Sequence, residues 1–370
     1  MKLETYDVFL EGTEGYHTYR IPSIVTTREG SLLAFCEGRI DRPDQSENDM
    51  VLKRSTDRGE TWTPAKTIAS FGRGHLNNPE AVVLRKSARI LFMYVRYATT
   101  HGPRQGKKGA GGRILEFAEA GYEGDKICRI YTIHSDDDGK TWSDPEDVTR
   151  SARASDSRSV STGPGVGIQL RRGKHRGRIL MPCNHQYYDR DREIRQRVHT
   201  IYSDDGGESW TYGEDAPEES PGYGNEVQFV ELADGSIMLN SRCKDGSNRR
   251  KVAYSRDGGH SWSGLVDDPI LIEPMCMGSI IRHGDPLDGE ENRILFSNPA
   301  SSSERINGTV RLSCDEGKSW PISRVIWPGK FAYSCLTVLA DGEIGCLYET
   351  GKNDPYEKIA FARFGVDWFE

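Results

Sequence analysis

Apolar residues in this chain come in short runs, among them Ile24-Val25, Leu32-Leu33-Ala34-Phe35 and Ile90-Leu91-Phe92-Met93-Tyr94-Val95. No long stretch places them at the 3.6-residue helical period, so the pattern predicts many short strands and an all-β fold. One grammar recurs: an apolar strand, a turn with Asp-Gly or Glu-Gly, a second strand, then a third. It reads 23–27, turn 28–30, 31–37 and 50–55. It returns as 227–232, turn 233–235, 236–242 and 252–255, and again as 336–339, turn 340–342 and 343–348. Asp-Gly between apolar runs is a strong hairpin signal.

The third strand of most units runs into an eight-residue pattern, Ser-x-Asp-x-Gly-x-Thr/Ser-Trp. Its copies lie at 55–62, 135–142, 203–210, 255–262 and 313–320, and hold five of the seven tryptophans. Successive Ser positions differ by 80, 68, 52 and 58 residues, a propeller-blade period. Each copy reads as a compact turn in which Asp folds onto backbone N–H groups, Gly supplies a positive φ and Trp packs back. Such boxes are structural, so Asp57 and Trp62 are not candidates for chemistry. The last unit, 334–349, lacks the box. Its outer strands are expected from 358–364 and from the amino-terminal 5–10, which would clasp the ring shut and remove a raw sheet edge. Six units of roughly 60 residues match the 370-residue chain, predicting one six-bladed β-propeller domain over 1–370. The stretch 99–112 reads as a flexible basic insert.

Composition sharpens this picture in three places. A formal net charge of −7 disfavours nucleic acid or an anionic membrane as partner, so any anionic ligand needs a local cluster of arginines. The eight cysteines form no C-x-x-C pair and no His/Cys ligand spacing. They read as reduced residues filling the blades, and no metal or organic cofactor is expected. Residues 1–11 carry acids and no apolar h-region, so no signal peptide is expected. That reads as a cytoplasmic chain, or a secreted one already trimmed. No segment approaches a membrane span.

Other residues stand outside the repeats: Tyr19-Arg20-Ile21-Pro22, the run Phe35-Cys36-Glu37-Gly38-Arg39 leading to Asp44, and Gly163-Pro164-Gly165-Val166-Gly167-Ile168-Gln169. Asn225-Glu226 precedes Arg242 by 16 residues, Arg305 precedes the last box, and Tyr333-Ser334 precedes Leu347-Tyr348-Glu349. With the boxes, these motifs make the whole chain resemble the sialidase (neuraminidase) superfamily, specifically the bacterial and animal exo-α-sialidases.

The resemblance implies a set of roles. Arg20, Arg242 and Arg305 would bind the carboxylate of a 2-keto sugar acid, a task that suits a planar, permanently charged guanidinium. Tyr333 would be the nucleophile and Glu226 its base, since sialidases depart from the two-carboxylate glycosidase scheme. A carboxylate on the anomeric carbon repels an attacking Asp or Glu, whereas a phenol approaches neutral and gives its proton to a neighbour. Asp44, on the polar loop 40–48, would be the general acid. Glu349 would orient Arg20, and Arg39 would add a contact to substrate or acid loop.

Blander readings stand beside these. A single Arg at a strand start is usually a surface charge, Glu226 and Tyr333 could share a structural hydrogen bond, and Asp41 or Asp49 could replace Asp44 as acid. Around 75–83, usually the C5-substituent pocket, Asn77-Asn78-Pro79-Glu80 carries a Glu that would suit a hydroxyl better than an N-acetyl methyl. Asn184-His185-Gln186 could face the glycerol tail. The expectation is a retaining exo-α-sialidase acting on sialylated glycoproteins, glycolipids and oligosaccharides. The alternatives are a hydrolase of a deaminated or eight-carbon keto sugar acid, and a non-catalytic propeller that binds carbohydrate or protein.

Overall fold

The computed structural model describes residues 2–44, 46–72, 74–97, 118–217 and 224–370. The basic insert expected at 99–112 lies outside them. Among the described residues the helices are one turn at Thr149–Ala152 and two short 3-10 segments, Pro286–Asp288 and Val366–Phe369. No helix there is long and apolar enough to cross a membrane.

The strands fall into consecutive antiparallel groups. After β1 (Glu4–Leu10) come β2 (Thr18–Thr26), β3 (Leu32–Arg39), β4 (Asn48–Ser55) and β5 (Lys66–Ala69). The next group is β6 (His75–Val83), β7 (Ile90–Tyr97), β8 (Arg129–Ser135) and β9 (Glu146–Asp147). A broken first strand opens the third: β10 (Ser159–Thr162), β11 (Gly165–Val166) and β12 (Ile168–Gln169), then β13 (Ile179–Tyr188), β14 (Ile194–Ser203) and β15 (Thr211–Tyr212). Then follow β16 (Gly224–Glu231), β17 (Ile237–Cys243), β18 (Arg249–Ser255) and β19 (Val266–Ile272). The next is β20 (Ser279–Gly284), β21 (Arg293–Pro299), β22 (Ile306–Ser313) and the start of β23 (Ile322–Val338). The long β23 then changes partner, pairing with β24 (Ile344–Gly351), which pairs with β25 (Lys358–Phe364). The amino-terminal β1 closes that group on β25, with Glu4 opposite Arg363 and Leu10 opposite Lys358. The clasp expected between the two chain ends is present.

First strands are continuously buried, as in β2 and β6, because they face neighbours on both sides. Outer strands such as β1 and β19 are mostly exposed and face water. The first strands pack side by side, as β2 does between β6 and β23, while β16 lies between β13, the second strand of the preceding group, and β20.

The boxes fold as their composition requires. Ser55 Oγ donates to Asp57 Oδ1 at 2.7 Å and accepts from Gly59 N at 2.8 Å, while Thr61 N donates to Asp57 Oδ1 at 2.9 Å. The other boxes repeat these bonds. The residue before the Gly is also left-handed, at Arg58, Asp138, Gly206, Gly258 and Glu316. The box Gly serves packing as well as turning. A Cβ on Gly59 would lie 2.3 Å from the Phe361 ring of β25, and one on Gly139 2.8 Å from Leu33 of β3. Gly207, Gly259 and Gly317 press in the same way on Leu91, Leu180 and Met238. Each box therefore seats on the preceding group, and the first box seats on the last group.

The segment 163–167 departs from the strand grammar because it lies among the first strands. Gln228 Nε2 donates to the carbonyls of Gly163 and Pro164 at 3.0 and 3.1 Å, and Ser23 Oγ donates to that of Gly165 at 2.6 Å. A Cβ on Gly163 would sit 2.1 Å from the carbonyl oxygen of Val227, so no other residue fits there. All eight cysteines are free thiols; seven are buried as expected, whereas Cys314, inside a box, is exposed.

Candidate functional site

Four first strands carry a β-bulge near their amino-terminal ends. The register shifts between Arg20 and Ser23, Asn77 and Glu80, Gly224 and Val227, and Phe331 and Ser334. A bulge re-aims the side chains it contains. Glu226 and Tyr333 lie inside such bulges, and Arg20 is the last paired residue before one. In β2 and β6 the bulge is Ile21-Pro22 and Asn78-Pro79, with φ +62 at Ile21 and +58 at Asn78. Proline tolerates the missing ladder bond there. A β-branched residue at positive φ is costly, and buried carboxylates stabilise the turn. Glu349 Oε1 accepts from Ile21 N at 2.8 Å, and Glu37 Oε1 accepts from Asn78 N at 2.8 Å.

The bulged ends surround a cavity of about 300 Å³. Five cationic side chains line it, Arg20, Arg39, Arg242, Lys244 and Arg305, against two carboxylates, Asp44 and Glu226. The cavity therefore carries an excess of positive charge within an acidic chain. A larger cavity, about 640 Å³, opens at the carboxy-terminal ends of the same strands, beyond the bulges.

Tyr333 is the centre of the arrangement. Its Oη donates to Glu226 Oε1 and accepts from Arg242 Nη1 at 3.0 Å. Arg242 Nη1 also donates to Glu226 Oε2 at 2.7 Å. The guanidinium carbons of Arg20 and Arg305 lie 5.6 and 5.3 Å from the centre of the Tyr333 ring. Arg20 Nε donates to Glu349 Oε1 at 2.7 Å, and Glu349 Oε2 accepts from Tyr333 N at 3.1 Å. One buried carboxylate thus fixes an arginine and the backbone of the phenol together.

Asp44 approaches from the other side. Arg39 Nη1 donates to its Oδ1 at 2.8 Å, and Arg20 Nη1 is 3.8 Å away. Arg39 is held from behind by Glu37. Asp44 is still 64% exposed, so it stands at the mouth of the cavity. Its loop is pinned by Asn48 and Asn77, which donate to the Asp44 carbonyl at 2.9 and 3.1 Å, and by an Arg42–Asp354 ion pair. Asp49, the nearby alternative, is bound to Tyr16 Oη at 2.8 Å and does not line the cavity. Asp41 does not line it either.

Protonation follows from these contacts. Burial raises the Tyr333 phenol well above its ordinary value and Glu226 adds to this, while Arg242 and Arg305 pull it back. For Glu226 burial works upward, but Arg242 and the Tyr333 hydrogen bond outweigh it and hold the carboxyl below its ordinary value. The pair therefore rests as neutral phenol and carboxylate. Asp44 is also held low: partial desolvation at the cavity mouth pushes it up, and Arg39 followed by Arg20 overcome that push. Burial disfavours the charge on Arg20, but Glu349, Tyr356 and Asp44 more than compensate.

The cavity also holds residues that sequence reasoning missed. Tyr356 accepts from Arg305 Nη1 at 2.7 Å, and its ring lies 3.7 Å from the Arg20 guanidinium carbon. A lone aromatic in the turn Asn353-Asp354-Pro355-Tyr356 was the available signal. Lys244, two residues after Arg242, carried none; burial and then Arg242 lower its pKa. Of the stretch 75–83, Asn77 and Asn78 line the cavity, whereas Glu80 is fully buried and does not. The hydroxyl preference suggested for Glu80 therefore has no contact to act through. Burial raises its carboxyl well above the ordinary range, against a smaller downward pull from the Gly163 backbone. Asn184 and Gln186 line the wall, and His185 between them does not, as strand alternation requires.

Comparison with known proteins gives the family and the fold. Residues 30–346 match the BNR repeat-like domain family. A sialidase of Micromonospora viridifaciens is 35% identical over 376 residues, covering 98% of this chain and 54% of that protein. A sialidase of Bacteroides fragilis is 30% identical over 355 residues, covering 92% and 61%. Among solved structures, the Hadza microbial sialidase Hz136 superposes with a TM-score of 0.84 at 30% identity, over 99% of this chain and 69% of that one. The fold shared with these neighbours is the β-propeller. The chain spans between half and two thirds of the length of these two curated relatives.

Proposed function

Because the chain belongs to the BNR-repeat sialidase family, we propose that it is a retaining exo-α-sialidase built on a single six-bladed propeller domain. The observation that carries this reading is the meeting of Arg20, Arg242 and Arg305 around a Tyr333–Glu226 pair in one cationic cavity. The substrate is a terminal α-linked sialic acid on a glycoprotein, glycolipid or oligosaccharide, its carboxylate on the three guanidinium groups. Tyr333 Oη gives its proton to Glu226 and attacks the anomeric carbon, while Asp44 donates a proton to the departing glycan oxygen. Asp44, now a carboxylate, takes a proton from water, which cleaves the sugar–Tyr333 bond with net retention. Glu226 returns its proton to the phenolate. Arg242, already on Tyr333 Oη, stabilises charge developing there without reorganisation. Glu349 and Glu37 act through Arg20 and Arg39, by positioning them.

The purified chain should release sialic acid from a fluorogenic aryl α-sialoside, and should do so less readily from the deaminated and eight-carbon keto acid glycosides. Preference for either of those moves the substrate class without moving the mechanism. No turnover of any keto acid glycoside would leave only a binding propeller.

A further inference from the structure

A second cluster lies behind the wall that carries Asn184 and Gln186. His185 on β13 and His199 on β14 are diagonal neighbours on one face, since Cys183 pairs with His199 and His185 with Arg197. Their Nδ1 atoms face each other at 3.4 Å, and Asp215, three residues beyond β15, adds Oδ1 at 3.8 and 4.0 Å. The nearest point equidistant from these three atoms, in their common plane, is about 2.2 Å from each, close to the Zn–N and Zn–O bond lengths of about 2.0–2.2 Å. The two Nδ1 atoms are as far apart as tetrahedral ligands of such an ion, about 3.3–3.4 Å.

Without an ion the arrangement is less easily explained. Only one of two facing Nδ1 atoms can hold the shared proton, and 3.4 Å is long for the resulting N–H···N bond. Among the described residues neither Nε2 has a protein partner, so packing and whatever the Nδ1 atoms share set the ring orientations. The rings are 1% and 0% exposed, which disfavours the imidazolium and leaves neutral rings with lone pairs to donate. The carboxylate is oriented as a ligand would be: Tyr212 Oη donates to its Oδ1, and Arg197 Nη1 is 3.3 Å from its Oδ2.

We propose that His185, His199 and Asp215 bind one divalent transition-metal ion of the zinc type, with water completing the shell, as a structural clip. The ion joins β13, β14 and the segment after β15, and so stiffens the strand whose neighbouring residues line the cavity. Two imidazoles and one carboxylate suit zinc-type ions far better than calcium or magnesium. No step of the proposed glycoside hydrolysis passes through it. The sequence hid the site because its ligands are spaced by 14 and 16 residues and meet only across a sheet.

The test uses the full chain without a histidine tag, treated with a chelator, incubated with zinc or cobalt and desalted. Metal content is measured beside that of His199→Gln and Asp215→Asn, the latter preserving shape. The wild type should retain about one ion per chain, melt a few degrees higher with zinc, and show tetrahedral-type visible bands with cobalt. Both variants should lose the retained ion and the zinc-dependent melting shift. No retained ion in the wild type, or equal retention in wild type and variants, overturns the proposal.

Discussion

Tyr333 Oη donates a hydrogen bond to the Glu226 carboxylate and accepts one from the Arg242 guanidinium, the two contacts on which the proposed attack depends. Replacing it with Phe leaves the Glu226–Arg242 pair in contact, so the fold and the anion receptor should persist while attack is lost. Tyr333→Phe should lower kcat/KM by on the order of 10³ or more, with near-native affinity for an unsaturated sialic acid analogue measured by calorimetry. Asp44 gives a second expectation. To serve as the proposed acid it must be protonated, yet Arg39 and Arg20 hold its pKa down in the free protein. A substrate carboxylate seated on the arginines cancels part of that pull, so the pKa rises in the complex. The alkaline limb of kcat should therefore lie at higher pH than that of kcat/KM. Coincident limbs would show that ligand charge does not reach Asp44.

Among the elements, the bulged first strand matters most. Sequence alone made the strands and hairpins legible, because burial on both faces writes continuous apolar runs and Asp-Gly marks the turns. The residues at the site were legible as a resemblance to a family. Their aiming was not, because Ile21-Pro22 and Asn78-Pro79 inside strands look like interruptions until the ladder shows a bulge. Glu349 was legible as the partner of Arg20, but its bond to the Ile21 N–H and that of Glu37 to the Asn78 N–H were hidden for a similar reason: each satisfies a backbone N–H of another group of strands, a partner that no local pattern reveals. Glu349→Gln removes the charge that holds Arg20 and leaves one fewer acceptor for Ile21 and Tyr333. It should destabilise the protein by about 3–5 kcal/mol in denaturant unfolding and weaken analogue binding at least tenfold. Unchanged stability would mean the bulges hold themselves.

For the molecule as a whole, closure is the question, and two contacts carry it. The amino-terminal β1 completes the sheet of β25, and the first box seats Gly59 against Phe361 of that strand. The octapeptide spacing foretold a ring, but which box touches which group depends on side chains far apart in sequence, such as Gly139 on Leu33. Gly59→Ala meets a buried ring at 2.3 Å with φ at +88 and should cost about 1–3 kcal/mol. The active-site residues lie elsewhere, so kcat below the melting transition should be unchanged. A large fall in kcat without a fall in stability would show that the seam is coupled to the site.

The central claim is that Tyr333 forms a bond to the sugar, and a fluorinated sialosyl fluoride that traps such an intermediate tests it most directly. Intact mass and peptide mapping should find one sugar on Tyr333, no label in Tyr333→Phe, and slow return of activity as water releases the adduct. A sugar on Glu226 or Asp44, or time-resolved NMR showing the inverted anomer released first with no adduct formed, would contradict it.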